Sequence, residues 1–269
     1  MKPSAMDPHG SALLAYFEGD SSATLIIRRD DGFEAPIPVA LFFRGVEEFS
    51  RIEKAAIDTC HGHVLDVGAG SGLHSLEIQS RGMKVTAIDI SAAAVDVMGR
   101  RGLRDARCAD FFTFEGGPFD TLLLLGNTIA MVETCEGLRR FLGRAARLAS
   151  RDGQVLLESL DVSKTDDPAH LAYHEMNRRT GRPIGMTKIQ VEFRGAAGPY
   201  FGWLHIDPES LHREASRAGW RSEVLVQEAN GQYLARLCHL VIADQPHRPR
   251  TISQRGSCGQ GDVRRLKKT

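Results

Sequence analysis

The reading of this chain turns on Val64-Leu65-Asp66-Val67-Gly68-Ala69-Gly70-Ser71-Gly72-Leu73. Four residues that favour a buried strand run into three glycines at alternate positions, and a helical pattern starts at once. Glycine lets the backbone turn sharply and lets a ligand approach where a Cβ would stand. A strand, a glycine loop and a helix in that order form a nucleotide loop. The spacing is D-x-G-x-G-x-G rather than G-x-G-x-x-G. Leu73 stands where a dinucleotide fingerprint needs a small residue for close helix–strand packing, which argues against a pyrophosphate site and a nicotinamide-dependent oxidoreductase. Asp66, two residues before the first glycine, suits a cationic ligand or the organisation of the loop itself.

Alternation of strand and helix patterns continues downstream. Val85–Ile88 reads as a second strand, followed by a helix over Ser91–Arg100 with Ser91 as its cap. Ala106–Cys108 is a weak third strand and Phe119–Leu125 a strong fourth. A helix over Glu136–Ala149 buries Leu138, Phe141, Leu142, Ala145 and Leu148. The turn Asp152-Gly153 leads to a fifth strand, Gln154–Glu158. Apolar strands alternating with helices predict a parallel sheet covered on both faces. Acids stand just beyond two of the strands. Asp89 can accept from both hydroxyls of a ribose. Asp110 can accept from an adenine amine, with Phe111 over the ring. Gly126-Asn127 follows the fourth strand, at the carboxyl edge where open α/β sheets bind ligands.

Together these residues resemble the class I S-adenosylmethionine-dependent methyltransferases, over roughly residues 45–243. The resemblance implies a Rossmann-like, mostly parallel seven-stranded sheet with an antiparallel last strand and helices on both faces. It implies S-adenosyl-L-methionine as cofactor and S-adenosyl-L-homocysteine as product. It carries Asp66, Gly68, Ala69, Gly70 and Gly72 onto the loop that holds the methionine part. Asp89 with Ile90 falls at the ribose, Asp110 with Phe111 at adenine, and Gly126 with Asn127 on the methyl-transfer face. Arg44, after Phe42-Phe43, is expected to pair the methionine carboxylate.

The flanks read as additions to that domain. Residues 1–22 read as a mobile arm or loose helix. Ala23–Arg29 and Glu34–Val39 form a hairpin around Asp30-Asp31-Gly32, and residues 1–44 make an N-terminal extension. Gly45–Cys60 reads as one helix. Residues 160–206 read as an inserted cap: Leu160–Gly185 polar and without period, then a hairpin of Lys188–Arg194 and Tyr200–Ile206. Pro208 opens a further helix, and Arg221–Gln227 with Gln232–Ile242 closes the domain as an antiparallel pair. Residues 244–269 read as a basic disordered tail, with seven Lys or Arg against one Asp from His247 onward.

Lys plus Arg equals Asp plus Glu at 34 each, so no global field draws the chain to nucleic acid or anionic lipid. No apolar run approaches the ~20 residues of a membrane span, and Glu18 and Asp20 follow the short apolar patch Ala12–Phe17 too closely for a leader. Five cysteines without C-x-x-C suggest reduced thiols and a cytoplasmic protein. Cys60-His61-Gly62-His63 lacks further ligands at zinc-like spacing, so no metal is expected. The expected acceptor is an O, N or C nucleophile on a small molecule. Thr128-Ile129 replaces the Pro-Pro-aromatic of amino-methylating nucleic-acid and protein enzymes, and the basic tail alone favours a peptide or RNA. A protein that only binds the cofactor is the other alternative. Candidate bases are His205, His174 and Tyr173, with Glu175 beside them. Met131 and Met176 are candidates for an apolar substrate wall.

Overall fold

The computed structural model describes residues 2–240. The basic tail from residue 244 lies outside them. In chain order the elements are α1 (Asp7–Phe17), β1 (Thr24–Arg29), β2 (Glu34–Pro38), α2 (Arg51–Thr59), β3 (His63–Val67), α3 (Leu73–Ser80) and β4 (Lys84–Asp89). Then follow α4 (Ala92–Arg100), β5 (Ala106–Cys108), β6 (Phe119–Leu124), α5 (Cys135–Leu148), β7 (Ala149–Leu160) and α6 (Pro168–Arg179). The last are β8 (Met186–Phe193), β9 (Ala196–Ala197), β10 (Phe201–Leu204), α7 (Pro208–Arg217), β11 (Trp220–Gln227) and β12 (Gln232–His239).

Seven strands form one sheet in the order β11-β12-β7-β6-β3-β4-β5. The β3, β4, β5, β6 and β7 pairings are parallel, and β12 runs antiparallel to both β7 and β11. This is the Rossmann-like sheet that the resemblance implies, and the parallel pairing is the one the alternating pattern predicts. Its strands need apolar residues on both faces because a helical layer covers each side. Leu65, Leu122, Leu124, Val155 and Leu157 pack toward α5 and α7, while Val64, Leu123 and Leu156 pack toward α2 and α3. The chain order reverses at β3, between β4 and β6, so a cleft opens at their carboxyl ends.

The N-terminal hairpin and the insertion are one structure, not two. β1 pairs with β2 on one side and β8 on the other, and β8 pairs with β10, giving a second, antiparallel sheet. Strands from both ends of the sequence therefore form a single lid. Its two faces differ as period-2 alternation requires. Leu25 sits opposite Ile37, Ile27 opposite Val191 and Phe201 opposite Ile189. These six turn to the cleft, while Arg28 on the other face pairs with Glu34 and Glu192.

Several local expectations change. Residues 1–22 hold an ordered helix: Ala12 and Leu13 of α1 are fully buried against the lid and α4. At Gly10 a Cβ would stand 2.0 Å from Ser91 Oγ, so glycine there lets α1 close onto the start of α4. The Gly45–Cys60 helix starts only at Arg51. Ser50 accepts from Glu53 N and Glu53 Oε2 accepts from Ser50 N, a reciprocal cap that fixes the start. Residues Asp152 and Gly153 do not interrupt β7, which runs on from Ala149 with a register shift against β6. The aperiodic polar stretch contains α6, started by Asp167, which accepts from Ala169 N and His170 N. Its period is hidden because Tyr173, His174 and Asn177 are its buried residues, two of them polar.

Candidate active site

The glycine loop leaves β3 with Gly68, Gly70 and Gly72 at φ of 69°, 56° and 77°, in the left-handed region that side chains disfavour. The amides of Gly68 and Ala69 donate to Ile88 O at 2.8 and 3.1 Å. Gly70 N donates to Asp89 Oδ2 at 3.0 Å, and Ser91 N to Asp89 Oδ1 at 2.9 Å. Asp89 thus pins the loop to β4 while lining the cleft beside Ile90. Asp66 is turned the other way. It is 2% exposed, accepts from Ser75 Oγ at 2.6 Å, and lies under α3 rather than on the cleft wall. Burial pushes its carboxyl up. Its hydrogen bond ties the end of β3 to α3, away from the cavity.

Between the loop, the carboxyl edge of the sheet and the lid lies a cavity of about 390 Å³. Gly68, Ala69, Gly70, Asp89, Ile90, Asp110, Phe111, Gly126 and Asn127 all line it. Gly72 sits behind the wall, where a Cβ would stand 3.0 Å from Met98 Cγ. Asp110 accepts from Phe112 N at 2.8 Å. Phe111 is 3% exposed and stacks on Phe141 with ring centroids 4.6 Å apart, so most of its ring belongs to the core. Phe112, with Arg140 over its ring at 4.8 Å, is the more open aromatic on that wall. Asn127 adopts φ 58° and leaves Oδ1 buried without a partner.

Arg44 corrects the sequence reading. Its guanidinium donates to Glu53 Oε1 at 2.9 Å and to Leu41 O at 2.8 Å, and it does not line the cavity. Glu53 also binds His74 Nε2 at 2.8 Å. Burial opposes its charge, but the His74 hydrogen bond, Ser50 N and the Arg44 charge win and hold it down at about 2. Arg44 answers that buried anion. Phe42 does line the cavity.

The candidate bases separate. His205, just past β10, lines the main cavity. Its N–H of the backbone donates to Gly185 O, and its ring Nδ1 is buried without a partner. Burial and the charge of nearby His170 push it down to about 4, so it is neutral at physiological pH. Tyr173 and His174 line a second cavity of about 540 Å³, which shares Ile27, Ile189, Trp203 and His205 with the first. Tyr173 donates to Asp30 Oδ1 at 2.8 Å under the Arg29 guanidinium. Burial and Asp30 push its phenol up to about 12, which leaves it no proton-accepting capacity near neutrality. Burial lowers His174. Met131 lines the main cavity, whereas Met176 and Glu175 lie on the outer face of α6.

Two contributors were not read from the sequence. His9 of α1 lines the cavity beside Gly70. Glu158, at the end of β7, accepts from Gly126 N at 2.7 Å and fixes the segment after β6. Burial pushes its carboxyl up. An acid ending an apolar strand was the available signal for Glu158. The contact of His9 comes only from the docking of α1.

A family model described as a methyltransferase domain matches residues 65–157. A SAM-dependent methyltransferase from Bacteroides fragilis, solved with S-adenosyl-L-homocysteine, is 30% identical, with 90% of this chain and 98% of that one covered and a TM-score of 0.78. The CcbJ methyltransferase of Streptomyces caelestis shares the fold at 13% identity and a TM-score of 0.54, covering 72% of this chain and 94% of its own. A SAM-dependent methyltransferase of Methanosarcina mazei does so at 16% and 0.51, covering 71% and 96%. No curated protein sequence matches the chain. The chain belongs to the class I S-adenosylmethionine-dependent methyltransferases, and S-adenosylmethionine is its cofactor.

The residues present fit that cofactor. Left-handed glycines open the backbone, Asp89 and Asp110 stand on the wall, and the orphaned Asn127 Oδ1 is a buried acceptor at the carboxyl edge.

Proposed function

We propose that the protein methylates an O, N or C nucleophile on a small, largely apolar molecule held in the cavity under the lid. The observation that carries this is the lid sheet itself. Its apolar face, with Leu25, Ile27, Ile37, Ile189, Val191, Phe201 and Trp203, lies across the cleft and leaves a chamber of small-molecule size. An RNA or folded peptide would need that layer displaced. No helix among the described residues is long and apolar enough to cross a membrane. The four described cysteines are free thiols, which supports a cytoplasmic setting.

Gly68, Ala69, Gly70 and Asp89 would hold the amino-acid and ribose parts of the cofactor, and Asp110 with the phenylalanines beside it the adenine. When bound, S-adenosylmethionine supplies an electrophilic methyl on a sulfonium centre. The lid excludes water and orients the acceptor, which lowers the barrier without chemistry by the protein. Where the acceptor must lose a proton, His205 is the base: it lines the chamber and its ring is neutral. His174 and Tyr173 act at most from the adjoining cavity.

The test is transfer of radiolabelled methyl to a panel of phenols, amines and carbon acids, run beside peptide and RNA pools. Labelling confined to small molecules is the expected outcome. Labelling of peptide or RNA alone would overturn the proposal.

A further inference from the structure

The main cavity has an uneven charge. Asp89 and Asp110 line it, and among the described residues no Lys or Arg does. Its basic groups are three histidines, His9, His74 and His205. His74 is taken by Glu53, and His205 stands on the lid. The cofactor brings a carboxylate at its amino-acid end, and a buried carboxylate needs a charged or hydrogen-bonding partner. Arg44, the expected partner, is turned away to Glu53.

His9 is placed for the task. A Cβ on Gly70 would lie 3.7 Å from His9 Cε1, so the ring sits directly over the loop. Its edge meets Phe42 at 5.2 Å between centroids. Its Nδ1 is buried and has no hydrogen-bond partner. The contact of Gly10 with Ser91 presses the helix turn that carries His9 onto the residues after Asp89. An unsatisfied buried imidazole nitrogen is costly and calls for a ligand.

The geometry points to His9 as the residue that receives the carboxylate of the cofactor's amino-acid end, which makes α1 a wall of the cofactor site. This rests on the family assignment and goes beyond it, since the motif-bearing domain begins some forty residues later. In the protein without ligand, burial lowers His9, opposed by the charge of Asp89 on the cavity wall. A carboxylate brought beside the ring raises it again, so binding takes up a proton and tightens as pH falls.

The experiment uses the full chain and two probes, S-adenosylhomocysteine and 5′-methylthioadenosine, which keeps the nucleoside and sulfur but lacks the amino-acid end. Affinities are measured calorimetrically from about pH 5.5 to 8, where a histidine titrates. His9→Ala is expected to weaken S-adenosylhomocysteine about tenfold or more and to leave 5′-methylthioadenosine within about twofold. His9→Asn, which keeps a donor near the position of Nδ1, should recover most of the affinity and lose the pH slope. Equal weakening of both probes would assign His9 to helix packing or the nucleoside and overturn the inference. So would unchanged affinity for S-adenosylhomocysteine. A wild-type protein that binds neither probe would overturn the cofactor site itself, and the role of His9 with it.

Discussion

Replacing Gly68 by Ala tests how the loop and the segment after β6 share space. Gly68 has φ 69°, and a Cβ there would lie 2.5 Å from Thr128 Cγ2. Holding alanine in the left-handed region costs about 1–2 kcal/mol. The overlap can be relieved only by turning Thr128, whose hydroxyl donates to Leu125 O at 2.7 Å. Losing that bond adds about 1 kcal/mol. The sum is about 2–3 kcal/mol, enough to move the urea midpoint of a domain clearly. Thr128→Ser removes the offending methyl and keeps the hydroxyl. In that background Gly68→Ala should cost only the backbone part, leaving a coupling of about 1 kcal/mol in a double-mutant cycle. The same cycle on S-adenosylhomocysteine affinity should show loss and partial recovery, because both residues line the cavity. A cost equal in both backgrounds to within about 0.3 kcal/mol would refute the contact and the argument for glycine at 68.

Asp89→Ala removes the acceptor of Gly70 N and Ser91 N, and calorimetry should show S-adenosylhomocysteine binding weakened at least about tenfold. Glu53→Gln should destabilise at neutral pH by about 3 kcal/mol, since its folded value near 2 lies below the ordinary 4.5. That stability is present above 4.5 and lost as pH falls toward 2, so wild-type and variant urea midpoints should converge in acid. His205 titrates with the opposite chemistry: its charged form is disfavoured on folding, so stability falls as pH drops from 6.5 to about 4. His205→Gln should flatten that limb in pH-dependent melts. Once an acceptor requiring deprotonation is in hand, the same variant should cut turnover about 100-fold or more with cofactor affinity unchanged.

The sequence by itself determined the central sheet, because its information is local and periodic. Apolar strands such as Leu122–Leu125, the stripe of α5 and the glycine spacing after Val67 each state their structure within ten residues. The same is true of Asp89, Asp110 and Gly126-Asn127, whose placement follows from which strand each one ends. α6 escaped because its buried side includes His174 and Asn177, and the Asn177 Nδ2 donates to the carbonyls of Ile184 and Met186, pairings that no hydropathy pattern registers. Only the tertiary structure joined β1 and β2 to β8 and β10, residues about 165 apart, because strand pairing uses backbone groups common to every residue. It also decided the destinations of the cations. Arg44 went to Glu53 rather than to the cavity, because leaving the buried Glu53 carboxylate uncompensated would cost the fold more. His9 came to the loop because Gly10 allows two helices to meet. Motifs fixed the floor of the site, and long-range packing built its lid and set which charges face the ligand.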